Sequence, residues 1–208
     1  ALFVLFNALL VFYMAGLRIR FFIGAAAIFL PLSAYFILTR DHRLRRFISF
    51  FKPEWDPLGA GYQVRSSLLT VSSGGFWGKG IGQGTRKIAS VPEVHSDFIF
   101  SSLAEEAGFI GVLLLFVLFA VFAFAAYRNA FRDSDTFRKL LSFGLTTSIL
   151  TQILLNVAVV IGAVPATGVP LPFFSAGGSS LATTLVMAGI IVNNSRRGGI
   201  SAKGAARV

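Results

Sequence analysis

Apolar residues fall in five blocks that are separated by short polar links and one long polar segment. None of these blocks contains a charged side chain; they cover residues 1–16, 21–38, 107–127, 140–164 and 179–194. A helix needs about 20 apolar residues to cross a bilayer. The pattern therefore predicts an all-α fold, a polytopic α-helical membrane protein with about five spans.

The long polar segment covers residues 39–96 and is rich in Gly, Ser, Arg and Lys. Glycine and serine at this density favour irregular backbone, so we predict one long extracytoplasmic loop with a short helix through residues 63–71. Asp97 lies where this loop meets the third apolar block. Residues 98–127 exceed the length that a bilayer requires, and we expect the first turns of this helix to project into the loop.

The basic residues predict how the chain is oriented. If every block crosses the membrane, the links of residues 17–20 and 128–139 and the tail of residues 195–208 all lie on the same side. These three segments carry ten basic residues, whereas the link of residues 165–178 on the other side carries none. Short loops rich in Arg and Lys stay in the cytoplasm, which predicts a cytoplasmic carboxyl terminus and an outer loop. That loop carries nine basic residues. The basic residues of a long loop affect the orientation of the chain less than those of a short loop. A phosphate-bearing substrate would explain the positive charge of this loop.

Composition excludes a soluble domain and disfavours a nucleic-acid binder. Hydrophobic residues make up 55% of the chain and charged residues 13%, against about 25% charged in soluble domains. The net charge is +10, but the basic residues lie between apolar blocks, where lipid head groups are the nearer partners. We therefore expect membrane lipids and no nucleic acid as partners. The chain has no cysteine, which excludes a disulfide framework.

Five motifs follow one another in a specific order and spacing. They are DPLGAGYQ at 56–63, GGFWGKG at 74–80, PEVHSDFIF at 92–100, EEAG at 105–108 and PLPFFSAGGSS at 170–180. Together they resemble the SEDS family of bacterial cell-wall proteins, which includes FtsW, RodA and SpoVE. The resemblance covers the whole chain but only the second half of the family's spans. We therefore expect an amino-truncated fragment that inserts into a membrane without polymerising glycan alone.

The resemblance implies a peptidoglycan glycosyltransferase that polymerises lipid II at the outer face of the bacterial cytoplasmic membrane. It also implies that Asp97, the acid of the motif His-Ser-Asp-Phe, is the catalytic residue. An inverting transfer needs a base on the acceptor hydroxyl and stabilisation of the departing pyrophosphate, and Asp97 is the candidate general base. From position alone, capping of the helix that begins at Phe98 by Ser96 or Asp97 is the favoured role, and only the resemblance favours catalysis by Asp97.

Several residues are candidates for substrate binding. The loop cations that we assign to the pyrophosphate are Arg65, Lys79, Arg86 and Lys87. Solvation of the loop or contact with lipid phosphates explains each of them equally well. The link before the fifth block adds Gly177, Gly178 and Ser179, because the free N–H groups of a helix start can receive an anion. Capping of that helix by Ser179 is the alternative.

Glu93 and His95 flank Asp97 and complete the candidate substrate-binding set, and Glu105 and Glu106 follow. A carboxylate cluster of this kind could hold a divalent cation. We therefore name Mg²⁺ or Mn²⁺ as the candidate cofactor, with no ligands assigned. For the two later glutamates we favour a structural role, because Ser102 and Glu105 have the spacing of a capping box.

Two further patterns have structural alternatives. The glycine-rich residues 74–84 are not a P-loop, because Gly80 follows Lys79 where a P-loop has Ser or Thr. We predict a mobile, substrate-facing loop with an aromatic anchor there, and plain turn-forming glycine is the alternative. Gln152 and Asn156 lie four residues apart in an apolar block, where we predict interhelical hydrogen bonds.

Three functions remain open. The first is polymerisation, and the resemblance also implies a class B penicillin-binding protein as partner. The second is a flippase for lipid II, which the absence of ionisable residues from the five blocks disfavours. The third is a scaffold that recruits the penicillin-binding protein. Residues 82–87 and 89–93 resemble the division members of the family more than the elongation members, which implies a role in cell division; a role in elongation remains the alternative.

Overall fold

The computed structural model describes residues 2–39, 50, 60–84, 99–165, 167–175 and 177–205. Within these ranges the helices are α1 Leu2–Met14, α2 Ile19–Leu38, α3 Ala60–Ser73, α4 Ile99–Arg132, α5 Thr136–Val160 and α6 Gly178–Ala205. The described residues contain no strand, and the predicted all-α class is confirmed.

Three helices in the described part of the chain are long and apolar enough to cross a membrane. They are Ile19–Phe36 within α2, Ile99–Arg132 and Thr136–Val160, and Phe3–Met14 is a shorter apolar helix. The helices α4 and α6 extend beyond the apolar blocks predicted for them, because polar residues at their ends continue the helical backbone. The predicted span limits and the count of about five spans stay predictions.

α5 lies at the centre of the packing, because it contacts α1, α3, α4 and α6. Its buried Ile149, Ile153 and Val160 belong to one apolar core with residues of α4, α6 and the link after α5. Polar side chains tie the same helices together. The Tyr127 hydroxyl lies 2.9 Å from Thr147 Oγ1, and Asn194 of α6 donates to Ser142 Oγ of α5 at 3.0 Å.

A short polar turn joins α4 to α5. Asp135 caps α5 by accepting a hydrogen bond from the backbone N–H of Phe137, the usual role of an aspartate at this position. Arg138 donates two hydrogen bonds of 2.9 Å to Asp133. These bonds hold the pKa of the Asp133 carboxyl below its ordinary value. The turn is therefore fixed by charge as well as by helix capping.

α3 is longer than the helix predicted at residues 63–71 and runs from Ala60 to Ser73. It packs against α4 and α5. Ser67 Oγ donates to the carbonyl oxygen of Val160 at 2.8 Å, which fastens α3 to the carboxyl end of α5. The predicted loop thus contains an ordered helix that is seated on the apolar core.

α4 is interrupted at Gly108, whose backbone angles are φ 64° and ψ −169°. Glycine adopts such angles readily because it has no Cβ. The residues from Ile99 to the break hold both glutamates of the helix, whereas the residues from Phe109 to Tyr127 are uncharged. The break therefore separates a polar amino-terminal piece from the apolar span.

Candidate functional site

The glycine-rich segment after α3 folds onto the break in α4. Four backbone hydrogen bonds join the two: Lys79 N and Gly80 N donate to the carbonyls of Glu105 and Glu106, and Phe109 N and Ile110 N donate to those of Gly75 and Phe76. In an unbroken helix, these N–H and C=O groups of α4 would pair with each other. The segment therefore supplies the partners that the break removes. We call residues 74–84 with residues 104–110 the clamp.

The clamp requires glycine on both sides because its backbones approach closely. A Cβ on Gly78 would lie 2.7 Å from Ala107 C and would overlap the carbonyl oxygen of Glu106. A Cβ on Gly108 would overlap Gly78 N in return, and both glycines have positive φ. These contacts favour the alternative of turn-forming glycine for residues 74–80, and the mobility and substrate contact of this segment stay predictions.

Gly78→Ala is expected to loosen the clamp and to destabilise the protein by about 1–3 kcal/mol, the usual cost of backbone strain at a single residue. Gly75→Ala is the matched control. Gly75 also has positive φ, but a Cβ there would meet nothing within 4 Å. Thermal unfolding in detergent should show a larger loss for Gly78→Ala than for Gly75→Ala. Equal losses would mean that close approach plays no part.

Glu105 is the buried acid of the clamp, with 0% of its side chain exposed. Its Oε1 atom accepts from Lys79 Nζ at 2.6 Å and from Ser73 Oγ at 3.2 Å. A buried carboxylate needs a charged partner of this kind to offset its lost hydration. The capping-box prediction is wrong, because Ser102 lies inside α4 and Glu105 instead joins α4 to α3 and the glycine-rich segment.

Glu106 holds the far end of the glycine-rich segment. Its Oε2 atom accepts a hydrogen bond of 3.0 Å from Gly82 N. Gly84 is buried against the same carboxylates, since a Cβ on it would lie 3.1 Å from Glu106 Oε1 and 3.3 Å from Glu105 Oε2. Gly84 therefore lies beside the two glutamates, and Ile99 is six residues before Glu105 on α4.

Five predicted site residues lie between these two points and outside the described residues. They are Arg86, Lys87, Glu93, His95 and Asp97. Their predicted roles as substrate cations, flanking groups and general base stay predictions. The structure describes the residues on either side of this segment: Gly84 lies in the clamp, and Ile99 begins α4 five residues before the clamp residue Ala104.

The other predicted site residues lie in three places. Lys79 is in the clamp, where its side chain is 33% exposed beside Glu105. Arg65 is exposed on α3, and Gly178 and Ser179 are exposed at the start of α6. Because α6 begins at Gly178, Ser179 lies inside its first turn, and its predicted capping role is wrong.

Asn156 is nearly fully buried in α5 and donates from Nδ2 to the carbonyl oxygen of Val169 at 2.9 Å. Its structural role is the one predicted, but this partner is in the link after α5 rather than in another helix. Gly177 N donates to Ser175 Oγ at 3.1 Å in the same link. The motif of residues 170–180 is thereby held against the end of α5.

The described residues do not fit a metal centre. They contain no group of three or more His, Asp or Glu side chains that could hold an ion, and the carboxylate of Glu105 already neutralises Lys79. The candidate cofactor Mg²⁺ or Mn²⁺ would depend on Glu93, His95 and Asp97, outside the described residues. It stays a prediction.

The apolar helices and the polar clamp at the end of one span define a polytopic α-helical membrane protein. Residues 1–198 match the FtsW/RodA/SpoVE family of cell cycle proteins. The chain belongs to this family, and the resemblance carried by the five motifs is confirmed.

Relatives and a solved structure agree with this membership. A probable peptidoglycan glycosyltransferase FtsW of Geobacter sp. (strain M18) is 38% identical over 197 residues, which are 95% of this chain and 54% of the relative. Stage V sporulation protein E of Bacillus subtilis (strain 168) is 38% identical over 190 residues, 91% of this chain and 52% of the relative. The chain thus spans about half the length of these curated relatives.

One similar solved structure is a chain from work on the structural coordination of polymerization and crosslinking by a peptidoglycan synthase complex. It superposes with a TM-score of 0.74 at 29% identity, covering 95% of this chain and 55% of that chain. The fold described above is therefore shared with about half of a chain from that work.

Proposed function

We propose that the whole protein is a peptidoglycan glycosyltransferase that polymerises lipid II, with Asp97 as its general base. The observation that carries this proposal is the family match over residues 1–198, together with relatives of 38% identity that are named probable peptidoglycan glycosyltransferases. The clamp gives the proposal a physical setting, because it holds Gly84, which precedes the segment that carries Asp97, against the part of α4 that follows this segment.

In this mechanism the Asp97 carboxylate removes the proton from the acceptor sugar hydroxyl. The hydroxyl oxygen forms the new bond to the anomeric carbon of the growing chain as the bond to pyrophosphate breaks. The pyrophosphate leaves with the electron pair, so one displacement inverts the anomeric centre. No covalent enzyme intermediate is needed. General-base catalysis of this kind typically contributes about 10²–10⁴-fold in rate.

Cations stabilise the charge that develops on the leaving pyrophosphate. We assign this role to Arg65, Arg86 and Lys87, and to the exposed part of Lys79. Glu93 and His95 contact the substrate beside Asp97 in the same proposal. Gly177, Gly178 and Ser179 offer backbone N–H groups at the start of α6. Because Lys79 also neutralises Glu105, its loss would affect folding before it affects binding.

The experiment uses the whole protein with a class B penicillin-binding protein, the partner that we propose because the similar structure comes from a synthase complex. Purified protein is incubated with labelled lipid II in vesicles. The expected product is a ladder of glycan polymers on a gel. Movement of labelled lipid across the bilayer without a ladder would instead favour the flippase, and partner binding with neither result would favour the scaffold.

The proposed site of action is the outer face of the cytoplasmic membrane, with the carboxyl terminus inside. The chain has no native cysteine, so single cysteines at the exposed Ser72 and Ser134 report topology directly. We expect a membrane-impermeant thiol reagent to label Ser72→Cys in intact cells and Ser134→Cys only after permeabilisation. The reverse pattern would place the clamp in the cytoplasm and contradict the proposal.

A division role is the finer proposal, because several relatives carry the name FtsW. One relative is a sporulation protein, and a role in elongation is the alternative. A fluorescent fusion of the whole protein at native level distinguishes these. Enrichment at the division septum is expected, and even distribution along the side wall would favour elongation.

A further inference from the structure

The clamp presents a small apolar tip to its surroundings. The tip consists of Phe76, Trp77 and Ile81, which are 59%, 80% and 93% exposed. The hydrogen bonds of the clamp hold the backbone around them, so these three exposed side chains extend from an ordered backbone. The family match and the proposed reaction leave them without a role.

The tip continues an exposed apolar stripe on α4. The stripe consists of large side chains at intervals of three and four residues: Phe109, Ile110, Leu113, Leu114, Val117, Leu118, Val121 and Phe124. Such intervals place residues on one side of a helix. Phe76 stacks on Phe109 at the end of this stripe, with ring centroids 5.6 Å apart and planes 28° apart. The tip therefore extends the outer surface of a span past its break.

The tip lies beside the point on α4 where the polar residues of this helix end and its apolar run begins. The half-buried Glu106 lies on the amino side of Gly108, and the uncharged run begins at Phe109. Tryptophan is enriched at this boundary in membrane proteins because its ring is apolar and its N–H is polar.

We infer that Phe76, Trp77 and Ile81 insert into the interfacial layer of the lipid bilayer and anchor the clamp at the membrane surface. The occupant of this surface is lipid, because the tip is continuous with the outer apolar face of a span. Anchoring would set the height of the clamp relative to the lipid head groups. The inference does not depend on the catalytic role of Asp97.

The fluorescence of Trp77 reports the position of its own side chain once Trp55, the other tryptophan of the chain, is replaced. The variant Trp55→Phe is reconstituted in vesicles of phosphatidylcholine and phosphatidylglycerol. Some vesicles contain lipids that are brominated near the glycerol end of the acyl chain, and others contain lipids that are brominated near the methyl end. We expect a loss of Trp77 emission that is larger with bromine near the glycerol, and little quenching by aqueous iodide.

Two results would overturn the inference. Quenching by iodide without quenching by brominated lipid would place Trp77 in water. Protection from both quenchers would mean that a protein segment covers the tip. Unchanged far-ultraviolet circular dichroism confirms that the variant is folded. A second variant, Ile81→Ser, should increase iodide quenching of Trp77 if the tip inserts as a unit, and no change would also count against insertion.

Discussion

Lys79→Met is expected to destabilise the protein by roughly 3–5 kcal/mol, the usual cost of leaving one member of a buried ion pair without its partner. The Glu105 carboxylate is fully buried and lies 2.6 Å from the Lys79 ammonium group. Methionine keeps the length of the lysine side chain but removes its charge. Chemical unfolding in detergent, followed by circular dichroism, measures the free energy of unfolding.

The control for this prediction is Arg65→Met, which removes a cation from the exposed face of α3. Surface substitutions of this type usually change stability by at most about 0.5 kcal/mol. The double variant Lys79→Met with Glu105→Met should recover part of the loss, because an apolar pair can replace a buried ion pair. If Lys79→Met costs no more than Arg65→Met, the ion pair does not stabilise the clamp.

Asp97→Asn in the whole protein is expected to lower the rate of lipid II polymerisation by about 10²–10⁴-fold. That factor corresponds to about 3–5 kcal/mol in the activation barrier. Asparagine has nearly the size of aspartate and caps helices about as well, but it cannot accept the proton of the acceptor hydroxyl. Membrane yield and binding of the penicillin-binding protein should therefore stay at the parent level.

A capping role for Asp97 makes the opposite prediction. Asp97→Asn would then be nearly silent, whereas Asp97→Ala would cost about 1 kcal/mol of stability. The two variants together separate chemistry from helix capping, because capping distinguishes Asn from Ala and general-base catalysis does not. Both variants should be equally inactive if Asp97 is the base.

The helices could be predicted from the sequence because each depends on a long run of apolar residues. The runs at 107–127 and 140–164 lie largely within α4 and α5, where local composition alone is decisive. The ends of the helices were less predictable, since α4 and α6 continue through polar residues. Propensity and capping decide such ends, and Ser179 shows how one serine can suggest a start that lies a residue too late.

The clamp could not be predicted because it depends on contacts between distant parts of the chain. Lys79 and Glu105 are 26 residues apart, and no local pattern indicates that they meet. Gly108 also has an ordinary appearance in an apolar helix, and its positive φ and close approach to Gly78 are visible only in the structure. The many glycines of residues 74–84 did indicate an unusual backbone. They did not show whether it forms turns or close backbone contacts, because both require glycine.

The measurement that tests the central claim most directly is polymerisation of lipid II by the purified whole protein and its Asp97→Asn variant, each with the penicillin-binding partner. Polymer is scored on a gel beside membrane yield and partner co-purification. The account predicts a glycan ladder from the parent protein and its loss by about 10²–10⁴-fold in the variant, with yield and partner binding unchanged. A variant that polymerises near the parent rate would contradict Asp97 as the catalytic base.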